Sequence, residues 1–126
     1  MIFSFVSCND RLDGDEITNI DAVKIDSAKI ELDTMNVFAI QSIKTYSNYT
    51  QNCEGFYGYD YLYTGSFERK VISYKFKTAT NCGDEITRVS QINFRPQVAG
   101  TYVFKFYNGK DASGENIFIE KNIEVQ

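Results

Sequence analysis

The sequence predicts an all-β fold, an antiparallel sandwich of about seven short strands in one domain. Three observations lead to this prediction. The 126 residues include nine Tyr and ten Phe with one Pro and no Trp, and aromatic side chains suit a half-buried sheet face. Apolar and polar residues alternate in several segments, which is the period of a β-strand. Gly, Asn, Asp and Ser separate these segments, as expected of turns.

The first two predicted strands follow residue 21. Apolar and polar residues alternate over residues 23–32, but the alternation shifts by one position near Asp26-Ser27. This shift predicts a kink or a β-bulge there. Residues 37–49 predict the next strand, since apolar and polar residues alternate in their first half. A short helix over residues 35–44 is the alternative, because β-branched residues are sparse in that stretch.

A run of alternating tyrosines forms the third predicted strand. On a strand, Tyr57, Tyr59, Tyr61 and Tyr63 share one face, because successive side chains point to opposite sides. Tyr rings stack on sugar or peptide surfaces and their hydroxyls form hydrogen bonds, so these four residues are the candidate binding surface. The alternative is that they pack as a half-buried sheet face, since large side chains must fill a core that lacks Trp.

Residues 70–77 and 84–94 predict two further strands. In the first of them, Ile72, Tyr74 and Phe76 form the apolar face. The basic residues of this strand, together with Arg69, could meet an anionic ligand, but charged residues at alternate positions are typical of a solvated or edge strand. A last strand is predicted over residues 116–125, after a hairpin connection.

The segment 94–109 contains the only proline, a small-residue corner and an alternating aromatic strand. Within it, Ala99-Gly100-Thr101-Tyr102-Val103-Phe104 resembles the tyrosine corner of immunoglobulin-like (Ig-like) domains. The resemblance implies an Ig-like sandwich in which the Tyr102 hydroxyl bonds to upstream backbone and Phe104 lies in the core. The chain departs from that family because no Trp packs the core and its cysteines lie in loops.

The charge and the missing histidine exclude several classes of function. Thirteen basic and 17 acidic residues give a net charge of −4, and no basic face for nucleic acid is present. Histidine, the commonest general base and a common metal ligand, is absent. The sequence contains no nucleophile–base arrangement, phosphate loop or EF-hand spacing. It therefore predicts no catalytic residue, no metal and no cofactor.

The first residues resemble the end of a bacterial lipoprotein signal peptide. Phe5-Val6-Ser7-Cys8 occupies the places of the lipobox, and an acidic, solvated stretch follows, as in exported lipoproteins of Bacteroidetes. The resemblance implies that residues 1–7 are removed, that Cys8 is acylated, and that residues 8–20 tether the domain formed by residues 21–126. The apolar run is short for a signal peptide, so we expect the true start upstream. A hydrophobic first strand with a buried free Cys is the alternative.

Cys53 and Cys82 both lie in polar, turn-like contexts and are predicted to form a disulfide. The bridge would close a segment of about 29 residues and stabilise the domain by about 3–4 kcal/mol on the chain-entropy model. It also fits an oxidising, extracytoplasmic compartment. A redox or metal-binding pair is the alternative, although neither a CxxC spacing nor a histidine supports it.

Two short motifs, Asp26-Ser27-Ala28 and Asp33-Thr34-Met35, resemble the O-glycosylation motif of exported Bacteroidetes proteins. The resemblance makes Ser27 and Thr34 candidate glycosylation sites. Asp-Ser and Asp-Thr are also ordinary turn sequences, so a mass measurement is needed to distinguish the two interpretations.

These features predict a lipid-anchored module in the cell envelope, at the outer membrane of a Gram-negative bacterium and either periplasmic or surface-exposed. Its predicted role is to bind a glycan or a protein partner without catalysis. The alternative is an accessory subunit of a surface complex with no ligand of its own. A third hypothesis, a hydrolase that uses carboxylates or Lys, requires two carboxylates that converge in a concave pocket.

Overall fold

The computed structural model describes residues 17–50, 53–78 and 83–126. These residues form nine strands and no helix, which confirms the all-β prediction, and the helix considered for residues 35–44 is wrong. The strands are β1 (Ile17–Val23), β2 (Ser27–Ile30), β3 (Thr34–Met35), β4 (Gln41–Tyr49), β5 (Glu54–Gly65), β6 (Glu68–Thr78), β7 (Ile86–Phe94), β8 (Gly100–Lys110) and β9 (Asn116–Val125). The last strand has the bounds that the sequence predicts.

The strands form two sheets that pack as a β-sandwich. Sheet A contains β1, β3, β5, β6, β8 and β9, and sheet B contains β2, β4 and β7 in that spatial order. Sheet B is antiparallel throughout. Sheet A is mixed, since β8 and β9 form an antiparallel hairpin whereas β3 pairs with β9 in parallel.

The centre of sheet A departs from an Ig-like sandwich. Strands β6 and β8 are parallel neighbours, with Glu68 opposite Val103 and Val71 opposite Phe106. An Ig-like sandwich consists of two antiparallel sheets, so this parallel pair leaves the Ig-like part of the prediction unconfirmed. Strand β5 pairs with one edge of β6. Strands β8 and β1 share the opposite edge of β6, where β8 pairs with its first residues and β1 with its last.

At the kink predicted near Asp26-Ser27, the chain passes from sheet A to sheet B. Strand β1 ends in sheet A, and β2 begins four residues later in sheet B. Between them, the Ile25 amide donates to the Tyr107 carbonyl in sheet A at 2.7 Å, and the Asp26 amide donates to the Tyr46 carbonyl in sheet B at 2.8 Å. Two successive amides therefore connect the two sheets.

The core between the sheets is aromatic. Tyr102, Phe104 and Phe106 point into it from β8, with exposed fractions of 3%, 0% and 0%. The Phe94 ring of sheet B meets the Tyr102 ring at 5.1 Å and the Phe104 ring at 5.0 Å, both edge to face. Edge-to-face packing is the favoured geometry for aromatic pairs, so these rings hold the two sheets together.

The interior becomes polar towards the end of the sandwich where β1 begins. Glu54 is buried at the start of β5, and its carboxylate accepts a 2.8 Å hydrogen bond from the Lys75 ammonium of β6. From sheet B, the Arg88 Nε donates to the Glu54 carbonyl oxygen at 3.0 Å. The Thr45 hydroxyl lies 2.6 Å from the Tyr59 hydroxyl. Polar contacts thus join the sheets at this end, and aromatic packing joins them elsewhere.

Candidate functional site

A cleft of about 790 Å³ opens at one end of the sandwich. It lies between β5 and β7, which are edge strands of sheets A and B among the described residues. The turn between β5 and β6 forms one wall, and residues 92–98 form the other. Of the four candidate tyrosines, Tyr61 and Tyr63 line it. The described residues that line it include two arginines, Arg69 and Arg95, and no carboxylate.

Arg69 is the buried cation of this cleft. It is 8% exposed, and its Nη1 donates to the carbonyl oxygens of Gly65, Ser66 and Glu68 at 3.1–3.3 Å. Its guanidinium carbon lies 4.1 Å from the centroid of the Tyr63 ring. The Nε atom is buried without a hydrogen-bond partner. None of the ion pairs among the described residues includes Arg69.

The environment of Arg69 is unusual for a buried charge. Buried charged side chains are normally paired with an opposite charge, because removal from water is unfavourable. The partners of Arg69 here are carbonyl dipoles, aromatic faces and the hydroxyl of Tyr61, and none of them carries a negative charge. A carboxylate that entered the cleft would supply the counter-charge.

The sequence interpretation of the β6 basic residues as a solvated face is wrong for two of them. Arg69 is buried, and Lys75 bonds the buried Glu54 carboxylate. The inward face of β6 carries Arg69, Val71 and Ser73, and the more apolar face points outwards. The sequence placed Arg69 among basic residues that could meet an anionic ligand but favoured a solvated strand for them. Strict alternation is compatible with either face pointing inwards, so the sequence could not show that Arg69 is buried.

Tyr61 and Tyr63 form the aromatic wall of the cleft. Their rings meet edge to face with centroids 5.5 Å apart. The Tyr61 ring also contacts Phe104 in the core at 6.4 Å, and burial raises the pKa of Tyr61 to about 12. Tyr63 is 71% exposed. The wall therefore has an anchored inner ring and an accessible outer ring.

The four predicted tyrosines do not share one face. The pairing of β5 with β6 shifts between Phe56 and Gly58, so Tyr57 is the extra residue of a β-bulge. Tyr57 is 54% exposed, whereas Phe56 and Tyr59 meet edge to face at 4.8 Å. The prediction of a four-tyrosine face is therefore wrong, since the bulge places Tyr57 outside and Tyr59 inside the sandwich. Neither residue lines the cleft.

The loop that forms the second wall is fixed from two sides. The Tyr102 hydroxyl donates to the Val98 carbonyl oxygen at 2.7 Å, which is the backbone bond that the tyrosine-corner resemblance implies. The Phe38 amide donates to the Pro96 carbonyl at 2.7 Å, and the Arg95 Nε donates to the Phe38 carbonyl at 3.3 Å. Phe38 has a φ of +66°, which is strained for a bulky side chain and requires support from its surroundings.

The cleft and the start of β1 lie at opposite ends of β6. Ile17, the first residue of β1, pairs with Thr78 at the end of β6, whereas Arg69 lies at its beginning. Nine residue steps of extended strand separate Thr78 from Arg69, which corresponds to about 30 Å. The cleft therefore lies far from the end of the sandwich at which β1 begins.

The remaining predicted site residues lie away from the cleft. Cys8 and Cys82 fall outside the described residues, so the acylation and the disulfide stay predictions. Cys53 precedes β5, and its carbonyl oxygen accepts a 3.3 Å hydrogen bond from the Thr78 amide. Ser27 and Thr34 are exposed, on β2 and β3 respectively.

Comparisons with protein-family models, curated proteins and solved structures find no match to this chain. Within residues 17–50, 53–78 and 83–126, no helix is long and apolar enough to cross a membrane. The same ranges contain no group of three or more His, Cys, Asp or Glu side chains that could hold a metal ion.

Proposed function

We propose that the protein is a non-catalytic binding module whose binding site is the cleft between β5 and β7. The observation that carries the proposal is the position of the cleft, about 30 Å from the end of β6 where the N-terminal segment joins. The aromatic rings of Tyr61 and Tyr63 suit a sugar or peptide surface. Hydrolysis by a carboxylate pair receives no support, since the part of the chain that the structure describes places no carboxylate in the lining.

The second part of the proposal is that acylated Cys8 holds the domain at the outer membrane. The chain from Cys8 would then enter the domain at Ile17, the first residue of β1, at the end opposite the cleft. In this orientation the binding site faces away from the lipid surface, where a ligand or partner has access. The proposal is supported by the lipobox resemblance and by the positions of the cleft and of the start of β1 at opposite ends of β6.

A Cys53–Cys82 disulfide belongs to the same proposal. Cys53 is hydrogen-bonded to Thr78, and Cys82 follows Thr78 by four residues. Four extended residues span up to about 14 Å. The chain after β6 is therefore long enough to bring the Cα atom of Cys82 within roughly 4.4–6.8 Å of the Cα atom of Cys53, the separation typical of a disulfide. The bridge would close the tethered end of the sandwich.

Glycan and peptide arrays test the binding proposal. The probe is the full chain with Cys8→Ser, which removes the acylation site and leaves the domain unchanged. We expect a ligand whose binding is lost in Tyr63→Ala and kept in Tyr57→Ala, a matched control because both tyrosines are exposed and only Tyr63 lines the cleft. Equal loss in both variants would contradict the proposal.

Membrane partition tests the anchor. In a Gram-negative host, the chain preceded by a complete signal peptide is expected in the membrane fraction, and mass spectrometry is expected to show acylation. The Cys8→Ala variant should move to the soluble fraction. If the variant stays with membranes to the same extent, the anchor is disproved.

An accessory role in a complex is the second candidate function. It is favoured by four large apolar side chains that are exposed by 52–63% in the loops after β2, β3 and β7: Leu32, Phe38, Ile40 and Val98. Exposed apolar clusters mark interaction surfaces. If this role is correct, Phe38→Ser with Ile40→Ser removes co-purifying partners from membranes, while Tyr63→Ala does not. The reverse pattern would favour the cleft.

A further inference from the structure

Among the described residues, the outer edge of β7 beside the cleft has no partner strand. Strand β7 pairs with β4 over nine residues without a register shift, and no described residue pairs with its other edge. Proteins protect edge strands by shortness, bulges, prolines or charges. Strand β2, the other edge of sheet B, has four residues, and β5 carries two register shifts, whereas β7 is long and regular.

The composition of β7 adds no protection either. Its sequence, ITRVSQINF, contains no proline, and its one charged residue is Arg88. That side chain turns inwards, since its Nε donates to the Glu54 carbonyl and its guanidinium lies 5.7 Å from the centroid of the Tyr49 ring. A long, regular edge without these devices is a template for an added strand.

The cleft that borders this edge is positively charged. Arg69 and Arg95 line it together with residues 92–94 of β7, and none of the lining residues in ranges 17–50, 53–78 and 83–126 is acidic. Arg69 is nine-tenths buried, lacks a carboxylate partner among the described residues, and has a buried Nε without a hydrogen bond. A guanidinium of this kind fits a carboxylate, which accepts its N–H groups in a charge-assisted hydrogen bond.

We propose that the cleft binds an extended peptide segment of a partner protein, which pairs its backbone with the free edge of β7 and places a carboxylate beside Arg69. The carboxylate comes from an Asp or Glu side chain or from a free C-terminus, because both have the chemistry that Arg69 recognises. This inference rests on the proposed binding function and names its ligand class. Tyr61, Tyr63 and Phe67 then contact the side chains of the added strand.

An array of random-sequence decapeptides tests this assignment with the Cys8→Ser chain. Each peptide is made in matched forms: a free or amidated C-terminus, and Asp or Glu replaced by Asn or Gln. We expect binding to fall by about tenfold or more when the recognised carboxylate becomes an amide. The two kinds of replacement identify whether the carboxylate belongs to a side chain or to the C-terminus.

The Arg69→Gln variant is expected to bind the acid and amide forms equally, whereas Arg69→Lys keeps part of the difference. Circular dichroism and urea unfolding check that both variants fold. If Arg69→Gln fails to fold, the acid-to-amide comparison on the unchanged chain still decides whether a carboxylate is recognised. Lys121→Gln is the control for general charge, because Lys121 is exposed and does not line the cleft.

N-methylation of the peptide tests strand addition without altering the protein. A strand on an edge directs every second amide towards its neighbour. We therefore expect methylation at one set of alternate positions to abolish binding and methylation at the other set to be tolerated. Equal tolerance at both sets would contradict pairing with β7.

Two outcomes separate this inference from the proposed function. Tyr63-dependent binding of neutral oligosaccharides, with no peptide bound, would overturn the peptide assignment and leave the binding function standing. Dimerisation in solution that disappears when β7 is altered, without recognition of acidic peptides, would assign the edge to a second copy of the chain and also overturn the inference. Absence of any Tyr63-dependent ligand would contradict both proposals.

Discussion

The Tyr102 hydroxyl donates a 2.7 Å hydrogen bond to the Val98 carbonyl oxygen, and this bond joins the core of the sandwich to the wall of its cleft. Tyr102 is 3% exposed, and its ring meets Phe94 and Phe67 edge to face at 5.1 Å each. The residue that identifies the β-sandwich corner in the sequence is therefore also the residue that positions the candidate site. Fold and site are coupled at this one side chain.

Tyr102→Phe removes that bond and keeps the ring. We expect the free energy of unfolding to fall by about 1 kcal/mol, the usual net contribution of one hydrogen bond, because Val98 is exposed and its carbonyl can turn to water. Urea unfolding measures the loss, and amide exchange should become faster in residues 96–99. Tyr107→Phe, on the outer face of the same strand, is the control and should leave both measurements unchanged.

Gly100→Ala tests the close contact between the Gly100 backbone and the ring of Phe67, which lines the cleft. Gly100 has a φ of +153°, and a Cβ there would lie 2.5 Å from Cε1 of Phe67, a ring already packed against Tyr102. We expect a loss of about 2–3 kcal/mol in unfolding free energy and weaker ligand binding, because the Phe67 ring must move.

Gly55→Ala is the comparison for that prediction. Its added Cβ would lie 2.7 Å from Cζ of Phe76, the far end of a side chain on the outer face of sheet A. Its φ lies outside the left-handed region, so we expect a smaller loss, about 1 kcal/mol or less, and unchanged ligand binding. Equal effects of the two alanines on binding would contradict the role given to Phe67.

The raised pKa of Tyr61 predicts that the folded protein loses stability at high pH. Burial raises the pKa of its hydroxyl from 10.0 in the unfolded chain to about 12 in the folded protein, so the folded state holds the proton more tightly. Its contribution to stability is complete below pH 10 and is lost as the pH rises from 10 towards 12. Urea midpoints should therefore fall more steeply over this range in the unchanged protein than in Tyr61→Phe. Parallel curves would show that the Tyr61 pKa is not raised.

The sequence predicted those parts of the fold that depend on local alternation. The bounds of β9 follow from a period of two within a single segment. The burial of Phe104 and the hydrogen bond of Tyr102 are what the resemblance to the tyrosine corner implies. The two-sheet architecture follows from the number of such segments. These features need no knowledge of which strands are neighbours.

The features that were missed depend on pairing between distant segments. The parallel contact of β6 with β8 and the bulge at Tyr57 are properties of two strands together, so neither strand alone indicates them. Strand β6 alternates on both faces, and its partners decide that Arg69 rather than Ile72 points inwards. The sequence therefore predicted Tyr61 and Tyr63 as site residues, whereas for Arg69 it favoured a solvated position that the structure corrects.

The central claim is that the cleft between β5 and β7 is where the ligand binds. Amide hydrogen exchange of the Cys8→Ser chain, with and without the tightest-binding compound from the arrays, tests it most directly. The account predicts slower exchange in residues 61–69 and 92–98 and no change in residues 17–23 at the opposite end. Protection confined to the outer face of sheet A or to the start of β1, with the cleft unaffected, would contradict it.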